Sequence, residues 1–305
     1  MNAVNAQTPS RIPSLLGEEP VKEEGSRAAG RVRRALVRNP TFMGGLILLI
    51  VIIIIAASAP WLFVHSPLDM VSLPLQWPGQ DGEFFLGTGP LGTDLAAGLA
   101  YGGRASLTVG FCAAMVCFAI GTIIGATGGY FGSWVDNILM RITEVFQTIP
   151  PFLLVVILIT ISGPTLSAII FAIGFASWPS VARLVRAEFR SIKEMDYVLA
   201  GRSLGYSTLR IMFVEILPNA LPSIIVMVSV IAANAILIEA SLSFLGLGDP
   251  NVLSWGTMIG DGRAFLRTEW YLTALPGAAI SATVLSLNLV GDGLNEILNP
   301  RSGQV

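Results

Sequence analysis

Four polar side chains stand inside apolar stretches of this 305-residue chain and are the first candidates for chemistry. They are Glu144, Gln147, Asn234 and Glu239. Polar groups are costly in apolar surroundings, and those that occur there commonly line the path of a solute or pair with one another. The sequence leaves both roles open for these residues: each lines a translocation pathway or makes a hydrogen bond between helices.

Motifs for catalysis or cofactor binding are missing from the sequence. The two lysines, Lys22 and Lys193, each follow an aliphatic residue, so there is no Gly-x-x-x-x-Gly-Lys loop to bind a nucleotide phosphate. His65 is the single histidine, and neither H-E-x-x-H nor G-x-S-x-G occurs. Cys112 and Cys117 lie in one apolar segment and are interpreted as buried thiols. We therefore expect a chain that is not an enzyme and that binds no metal or cofactor itself.

The composition is typical of a membrane protein. Hydrophobic residues make up 53% of the chain and charged residues 12%, and the mean hydropathy is +0.71. Soluble domains carry about 25% charged residues. Several apolar runs reach the ~20 residues that a membrane-spanning helix needs. The predicted spans are Thr41–Val64, Arg104–Gly128, Glu144–Ser162, Thr165–Ala187, Ala220–Gly248 and Tyr271–Leu298. The fold class is therefore all-α, with six transmembrane helices, and Pro150-Pro151 is expected to kink or break the start of the third.

Basic residues predict the orientation of these spans. All 18 lysines and arginines except Arg104, Arg263 and Arg267 lie before the first span, after the last, or near the connections between spans two and three and between spans four and five. Because cytoplasmic loops are enriched in lysine and arginine, both termini are predicted to be cytoplasmic.

The predicted spans and their orientation together divide the chain into three parts. Residues 1–40 form a cytoplasmic segment with a basic surface helix at 27–38, residues 41–301 the transmembrane domain, and residues 302–305 a tail. Within the transmembrane domain, residues 65–103 and 249–270 are predicted to be external loops, and residues 188–216 a cytoplasmic region.

The cytoplasmic region is predicted to contain a helix, a turn and a second helix over residues 194–215. Ser207 or Thr208 is placed to cap the second helix. The chain is expected to re-enter the membrane at Pro218 and Pro222, since proline is tolerated in the first turn of a helix and breaks one elsewhere. The first helix and its turn carry three small residues, Ala200, Gly201 and Gly205. They would leave a shallow surface for another protein, although an ordinary surface helix has the same pattern.

Residues 199–218 resemble the cytoplasmic coupling motif of the permeases of binding-protein-dependent ABC importers. That motif is an acidic residue, two alanines, three other residues and a glycine, followed after nine residues by Ile-x-Leu-Pro. Its first alanine, its glycine and its Leu-Pro pair are matched by Ala200, Gly205, Leu217 and Pro218. Its acidic residue, second alanine and isoleucine are replaced by Leu199, Gly201 and Glu215. The resemblance implies that this region docks on an ATPase subunit.

Other segments are similar to the dipeptide, oligopeptide and nickel importer permeases within that group. They are "EASLSFLGLG" at 239–248 with "SWGTMI" at 254–259, "LGTD" at 91–94 with "YGGRASLTVG" at 101–110, and "NLVGDGLNEILNPR" at 288–301. The linker between "LGTD" and "YGGRASLTVG" is shorter than in the family and lacks its usual Gly-Arg-Asp. Together with the long N-terminal segment, these signatures resemble the C-type permease subunit.

The resemblance implies the type I ABC importer permease fold and several partners. These are a second homologous permease, two ATP-binding subunits that hold ATP and Mg, and a periplasmic or extracellular solute-binding protein. The chain is also expected to contact membrane lipid and not to bind nucleic acid. The expected location is a bacterial or archaeal cytoplasmic membrane. Di- or oligopeptides are the expected substrates, with nickel chelates, glutathione or another small solute as the alternative. A secondary transporter is a further alternative that would need no ATPase.

Overall fold

The computed structural model describes residues 38–80 and 82–298, and within these ranges it contains helices and loops but no β-strand. The predicted basic helix at 27–38, apart from Arg38, and the tail at 302–305 lie outside the described residues. The helices are α1 (Pro40–Leu62), α2 (Leu95–Phe131), α3 (Ser133–Thr148), α4 (Pro151–Ser162), α5 (Leu166–Ile192), α6 (Asp196–Ser203), α7 (Thr208–Phe244), α8 (Trp255–Gly262) and α9 (Tyr271–Leu298). α1, α5 and α9 correspond to the first, fourth and sixth predicted spans.

Five of these helices, α1, α2, α5, α7 and α9, are each long and apolar enough to cross a membrane. The helices α3 and α4 pass the same test only as a pair, which is bent by 83°. α4 has 12 residues, about 18 Å of helix, and a bilayer core is ~30 Å thick. The predicted third span, Glu144–Ser162, is therefore divided between the end of α3 and the whole of α4. The predicted break at Pro150-Pro151 is confirmed, since α3 ends at Thr148 and α4 begins at Pro151. The physical reason is that a residue that precedes proline avoids the helical conformation.

α2 begins nine residues before the predicted span Arg104–Gly128, inside the region predicted to be a loop. Asp94 caps its first turn by accepting a hydrogen bond from the Ala96 amide at 2.9 Å. Gly98 then lies against the side chains of Leu253 and Met258, so loop residues cover the helix where it leaves the membrane. At 37 residues, α2 is about 55 Å long and extends well beyond a ~30 Å hydrocarbon core.

A face of small residues on α2 packs against α5. A Cβ atom added at Gly121, Gly125 or Gly129 would lie only 2.5, 2.3 or 2.7 Å from Val181, Ala182 or Phe189. This glycine series therefore allows α2 and α5 to approach closely. Small residues let helix backbones approach, and between membrane helices this close van der Waals contact supplies much of the association free energy.

The fifth span differs from its predicted bounds, Ala220–Gly248, at both ends. The second helix of the cytoplasmic region does not end before the membrane but continues into the span as the 37-residue α7. Residues Ile211–Ile216 form a π-helical stretch, and the Leu217 amide donates to the Met212 carbonyl five residues before it. This wider turn accommodates Pro218, whose ring would clash with the carbonyl four residues earlier in a regular α-helix. At the other end α7 stops at Phe244, before Gly246 with φ +81°.

Candidate functional site

The segment at 188–216, predicted from the sequence to be cytoplasmic, contains a tight turn after α6 that depends on Gly205. The Gly205 amide donates to the Arg202 carbonyl at 3.0 Å, and the Tyr206 amide donates to the Gly201 carbonyl at 3.1 Å. These two bonds form a Schellman motif, which needs a left-handed residue in the position that Gly205 occupies. Its φ is +81°, and a Cβ atom there would meet no other atom within 4 Å. The requirement for glycine is therefore set by the backbone conformation and not by space within this chain.

Gly201 does not belong to the shallow surface that the sequence predicted. It is buried, and a Cβ atom on it would lie 3.1 Å from the ring of Tyr206. The Arg210 guanidinium also lies over that ring, 3.9 Å from its centroid. Glycine at this position lets the ring close the turn, because in a Schellman motif the residues at these two positions are commonly in contact.

An exposed group of leucines surrounds the turn instead. Leu199, Leu204 and Leu209 are 40%, 73% and 67% exposed, and Ala200 and Gly205 are exposed beside them. We call Leu199, Leu204 and Leu209 the leucine surface. Apolar residues clustered at the surface of a segment outside the membrane commonly mark an interaction site. Leu199 therefore presents an apolar and uncharged side chain on this surface.

The opposite side of α6 is anchored in the core of the protein. Val198 is completely buried and belongs to one hydrophobic cluster with Phe189 of α5 and Ile211 and Ile216 of α7. Ser207 caps α7 by accepting from the Arg210 amide, which confirms one of the two predicted caps. A force on α6 is therefore transmitted to α5 and α7 through close-packed side chains, which deform little.

A hydrogen bond connects α6 directly to the start of α7. The Tyr197 hydroxyl donates to the Glu215 carbonyl at 3.5 Å, and the Asn219 side chain donates to the same oxygen at 2.7 Å. Burial, followed by the nearby Glu215 charge, raises the pKa of the Tyr197 phenol, so it remains a protonated donor at neutral pH. Leu217 packs against the cluster beneath α6, and Pro218 is exposed.

Two of the predicted pathway residues lie in one cavity of about 580 Å³. Gln147 comes from the junction of α3 and α4, and Asn234 comes from α7. Ser177 and Ser180 of α5 add hydroxyl groups to an otherwise mainly apolar wall. The cavity is wide enough for a small solute and has a few polar groups for hydrogen bonds, as ligand sites typically do. Sequence reasoning did not find the two serines, whose spacing on a helix does not distinguish them from surface residues.

Glu239 is directed away from this cavity. Its side chain is 2% exposed, and its two carboxylate oxygens accept from the hydroxyls of Ser106 at 3.1 Å and Ser243 at 2.7 Å. The Ser106 oxygen also accepts from the Trp255 amide at 3.4 Å. This network joins α2, α7 and α8, so the geometry matches the helix–helix hydrogen bond that the sequence left open as one of two roles.

Glu144 lies outside the same cavity. It is exposed, and its carboxylate pairs with the Arg141 guanidinium at 3.2 Å on the surface of α3. An exposed pair of this kind contributes little to stability.

An ion pair that sequence reasoning missed fastens α3 to α5. Asp136 is 5% exposed and accepts from the Arg186 Nε and, at 2.6 Å, from its Nη2. The Arg190 guanidinium lies 3.7 Å from the same carboxylate. The only signal in the sequence is an acidic residue in the first turn of an amphipathic helix, because the partners are 50 positions apart.

The long segments before α2 and around α8 are folded against helix ends. The Tyr271 hydroxyl donates to the Gln76 carbonyl at 2.8 Å, and the Trp255 indole donates to the Leu99 carbonyl at 2.9 Å. Asp249 accepts from the Leu166 amide at 2.9 Å and so holds the start of α5. In the described ranges, no three histidine, cysteine, aspartate or glutamate side chains are grouped to hold a metal ion.

Comparison with known families gives two matches. Residues 118–304 match the family described as binding-protein-dependent transport system inner membrane component. Residues 29–78 match the N-terminal transmembrane domain of oligopeptide transport permease C. The first match covers more than half of the chain.

Similar proteins cover almost the whole chain. The chain is 35% identical to the di/tripeptide transport system permease protein DppC of Pseudomonas aeruginosa (strain UCBPP-PA14), over 99% of this chain and 98% of that protein. It is 36% identical to the dipeptide transport system permease protein DppC of Bacillus subtilis (strain 168), over 97% and 98%. A solved structure of the MetNI methionine ABC transporter, in an inward-facing conformation, is similar with a TM-score of 0.53 and 19% identity, over 66% of this chain and 96% of that chain. At that identity the likeness shows the fold alone.

Proposed function

The chain belongs to the family of binding-protein-dependent transport system inner membrane components, and we propose that it forms half of the translocation pathway of an ATP-driven importer of di- or oligopeptides. The single observation that carries the substrate class is the identity of 35% and 36%, over nearly the full length, to permeases named for di/tripeptide and dipeptide transport. The chain is a permease component, and ATP hydrolysis in this family belongs to separate subunits.

The proposed topology has six spans, with α3 and α4 together forming the third, and both termini in the cytoplasm. The distribution of lysine and arginine supports this orientation. It puts α6 and the leucine surface in the cytoplasm and the loops at 65–94 and 245–270 outside. The chain would be a multi-pass protein of a bacterial cytoplasmic membrane.

The proposed ATPase-coupling residues are Leu199, Ala200, Gly201, Gly205, Glu215, Leu217 and Pro218. We propose that the leucine surface and the exposed Gly205 turn contact a groove of an ATP-binding subunit, while Gly201 and Leu217 act from inside by shaping the turn and anchoring it. The burial of Val198 beneath α6 supports this role, because an anchored helix can move α5 and α7 as a unit. ATP and Mg would be held by the two partner subunits.

The cavity that contains Gln147 and Asn234 is the proposed contribution of this chain to the pathway. A second, homologous permease would supply the facing wall, and the external loops would receive a solute-binding protein. Closure of the two ATP-binding subunits would move the coupling regions and switch the pathway from inward-facing to outward-facing, which is a hinge or rigid-body transition. Amides and hydroxyls on an apolar wall suit a solute that carries peptide groups. As the solute passes, each wall group can replace a hydrogen bond to water with one to a peptide group.

The function is tested by purifying the tagged chain with its co-purifying subunits and reconstituting the complex in liposomes with its solute-binding protein. We expect a second permease and two ATPases in the complex, and ATP-dependent uptake of a labelled dipeptide. Uptake of a nickel chelate or glutathione without dipeptide uptake would overturn the substrate class. Uptake by the chain alone, driven by an ion gradient, would overturn the importer assignment.

The pathway is tested in the same liposomes with single substitutions. Asn234→Ala and Gln147→Ala should each raise the KM for peptide about fivefold or more, since a lost hydrogen bond is worth ~1 kcal/mol, without reducing ATPase co-purification. Glu144→Ala is the matched control, because Glu144 is one turn from Gln147 on α3 but outside the cavity. Equal KM values for all three variants would contradict the proposed pathway.

A further inference from the structure

A second cavity, near the start of α2, is lined by Arg104. In the part of the chain that the structure describes, no acidic group lies within ion-pair distance of Arg104. Its guanidinium lies 5.8 Å from the centroid of the Tyr101 ring. Asp249, beside the cavity residues Leu166 and Asn251, already accepts hydrogen bonds from both.

The cavity has a volume of about 380 Å³, and polar and apolar side chains both line it. Arg104 and Tyr101 of α2 form one wall, and Ser66 and Asn251 from the two external loops form another. Guanidinium, hydroxyl and amide groups are the donors that proteins use for phosphate oxygens. The cavity therefore has the chemistry of an anion site at the level where α5 begins and the membrane ends.

Below the cavity, the same face of α2 is exposed and apolar. Thr108, Phe111, Met115 and Ala119 follow Arg104 at intervals of three or four residues, which keeps them in line on one face of a helix. All four are exposed, Phe111 by 66% and Met115 by 43%. Met115 is about 17 Å along the helix from Arg104, close to the thickness of one leaflet in a ~30 Å hydrocarbon core.

A polar anion site that continues into an apolar strip one leaflet long matches the shape of a phospholipid, which has a phosphate headgroup and an acyl chain. We propose that Arg104 and its cavity bind an anionic phospholipid, with the phosphodiester on the guanidinium and an acyl chain along Phe111 and Met115. Beyond Thr108, whose hydroxyl donates to the Arg104 carbonyl, a peptide would find no polar side chain on this strip. The proposed peptide cavity lies between α3, α4, α5 and α7 instead. Because no free carboxylate faces Arg104, a lipid with a net negative charge fits better than a zwitterionic one.

The test uses the full chain within its purified complex, in nanodiscs of phosphatidylcholine that contain photoactivatable phosphatidylglycerol. After illumination, label should be found on the segment that contains Phe111 and Met115. Arg104→Gln should reduce this labelling about tenfold, as expected for a charge-assisted hydrogen bond, and Arg104→Lys should retain part of it. Arg267→Gln is the matched control, since it also removes an exposed positive charge on the external side.

Four results would overturn the proposal. Labelling that does not change in Arg104→Gln would show that the charge does not hold the lipid. Equal labelling by a photoactivatable phosphatidylcholine would remove the preference for a negative headgroup. Competition by millimolar inorganic phosphate would indicate a site for free anions rather than lipid. Absence of label in the wild type, with cross-links from Phe111 to the partner permease, would assign the strip to a subunit interface.

Discussion

Replacement of Gly205 tests whether the turn after α6 must be preformed for an ATPase to dock. The φ of +81° lies in the left-handed region, which costs an L-residue with a Cβ atom about 1–2 kcal/mol. Because a Cβ atom would meet nothing within 4 Å, steric overlap within the chain adds nothing to this cost. If the docked state needs this turn, Gly205→Ala should weaken ATPase binding roughly 5- to 30-fold.

Substitution of Gly205 by asparagine and by aspartate distinguishes the effect of backbone conformation on docking from the effect of charge at the docking surface. Asparagine tolerates the left-handed conformation, so Gly205→Asn should retain more ATPase than Gly205→Ala despite its larger side chain. Gly205→Asp has nearly the same shape as the asparagine variant and adds a charge beside the leucine surface. It should leave the chain in the membrane and bind ATPase more weakly than Gly205→Asn, since an unpaired charge would be desolvated on docking.

The assay is a titration of tagged permease with the purified ATP-binding subunit, and the affinity is read from the co-purified fraction. Gly277→Ala is the matched control, because Gly277 also has open space around its Cβ position but has no positive φ. An affinity of Gly205→Ala equal to that of the wild type would refute the requirement for a preformed turn. An affinity of Gly205→Asn as low as that of Gly205→Ala would refute the backbone argument.

Three further substitutions test the interior and the external side. Gly125→Val should lower the free energy of unfolding by about 1–3 kcal/mol by forcing α2 away from α5, measured by thermal unfolding, whereas Gly44→Ala, which adds a methyl group in open space, should not. Glu239→Gln should lower thermal stability by about 1–3 kcal/mol, because the buried hydroxyls lose an acceptor, and should leave the KM for peptide unchanged; a raised KM would put Glu239 on the pathway. Hydrogen bonds from the Asn251 amide and then the Leu166 amide hold the pKa of Asp249 below its usual range, so its stabilising contribution is present above pH ~4 and lost as the pH falls through the lowered pKa. Asp249→Asn should therefore show less loss of stability on acidification than the wild type, and parallel curves would contradict this.

The sequence alone was sufficient for the membrane class and for most helix positions. A lipid environment accepts backbone only when its hydrogen bonds are made within a helix or a barrel, so apolar length predicts spans directly. Local signals were equally informative: Ser207 caps its helix, Pro150-Pro151 interrupts one, and the glycines of α2 lie where a neighbour approaches. The cap and the break arise from residues within one or two helical turns, and the glycine pattern is local although the neighbour it admits, α5, is distant in sequence.

Helix ends outside the membrane were harder to predict, because hydropathy says nothing about helix that continues beyond the lipid. The extra turns at the start of α2 depend on loop residues that cover Gly98. The continuous α7 depends on a π-helical stretch before Pro218, which has no recognised sequence pattern. The first case depends on contacts from elsewhere in the fold, and the second on a local change of the hydrogen-bond pattern within the helix.

Only the tertiary structure decided which polar side chains meet. Asn234 and Glu239 are five residues apart on one helix, about 140° around its axis, so one can face the cavity while the other faces α2. The sequence gives that angle but not the neighbours on each side. Asp136 and Arg186 are 50 positions apart, and Gly201 is covered by a ring that folds back over it. Such pairings depend on how whole helices pack, and the free energy of that packing comes from many side chains together rather than from the residues that meet.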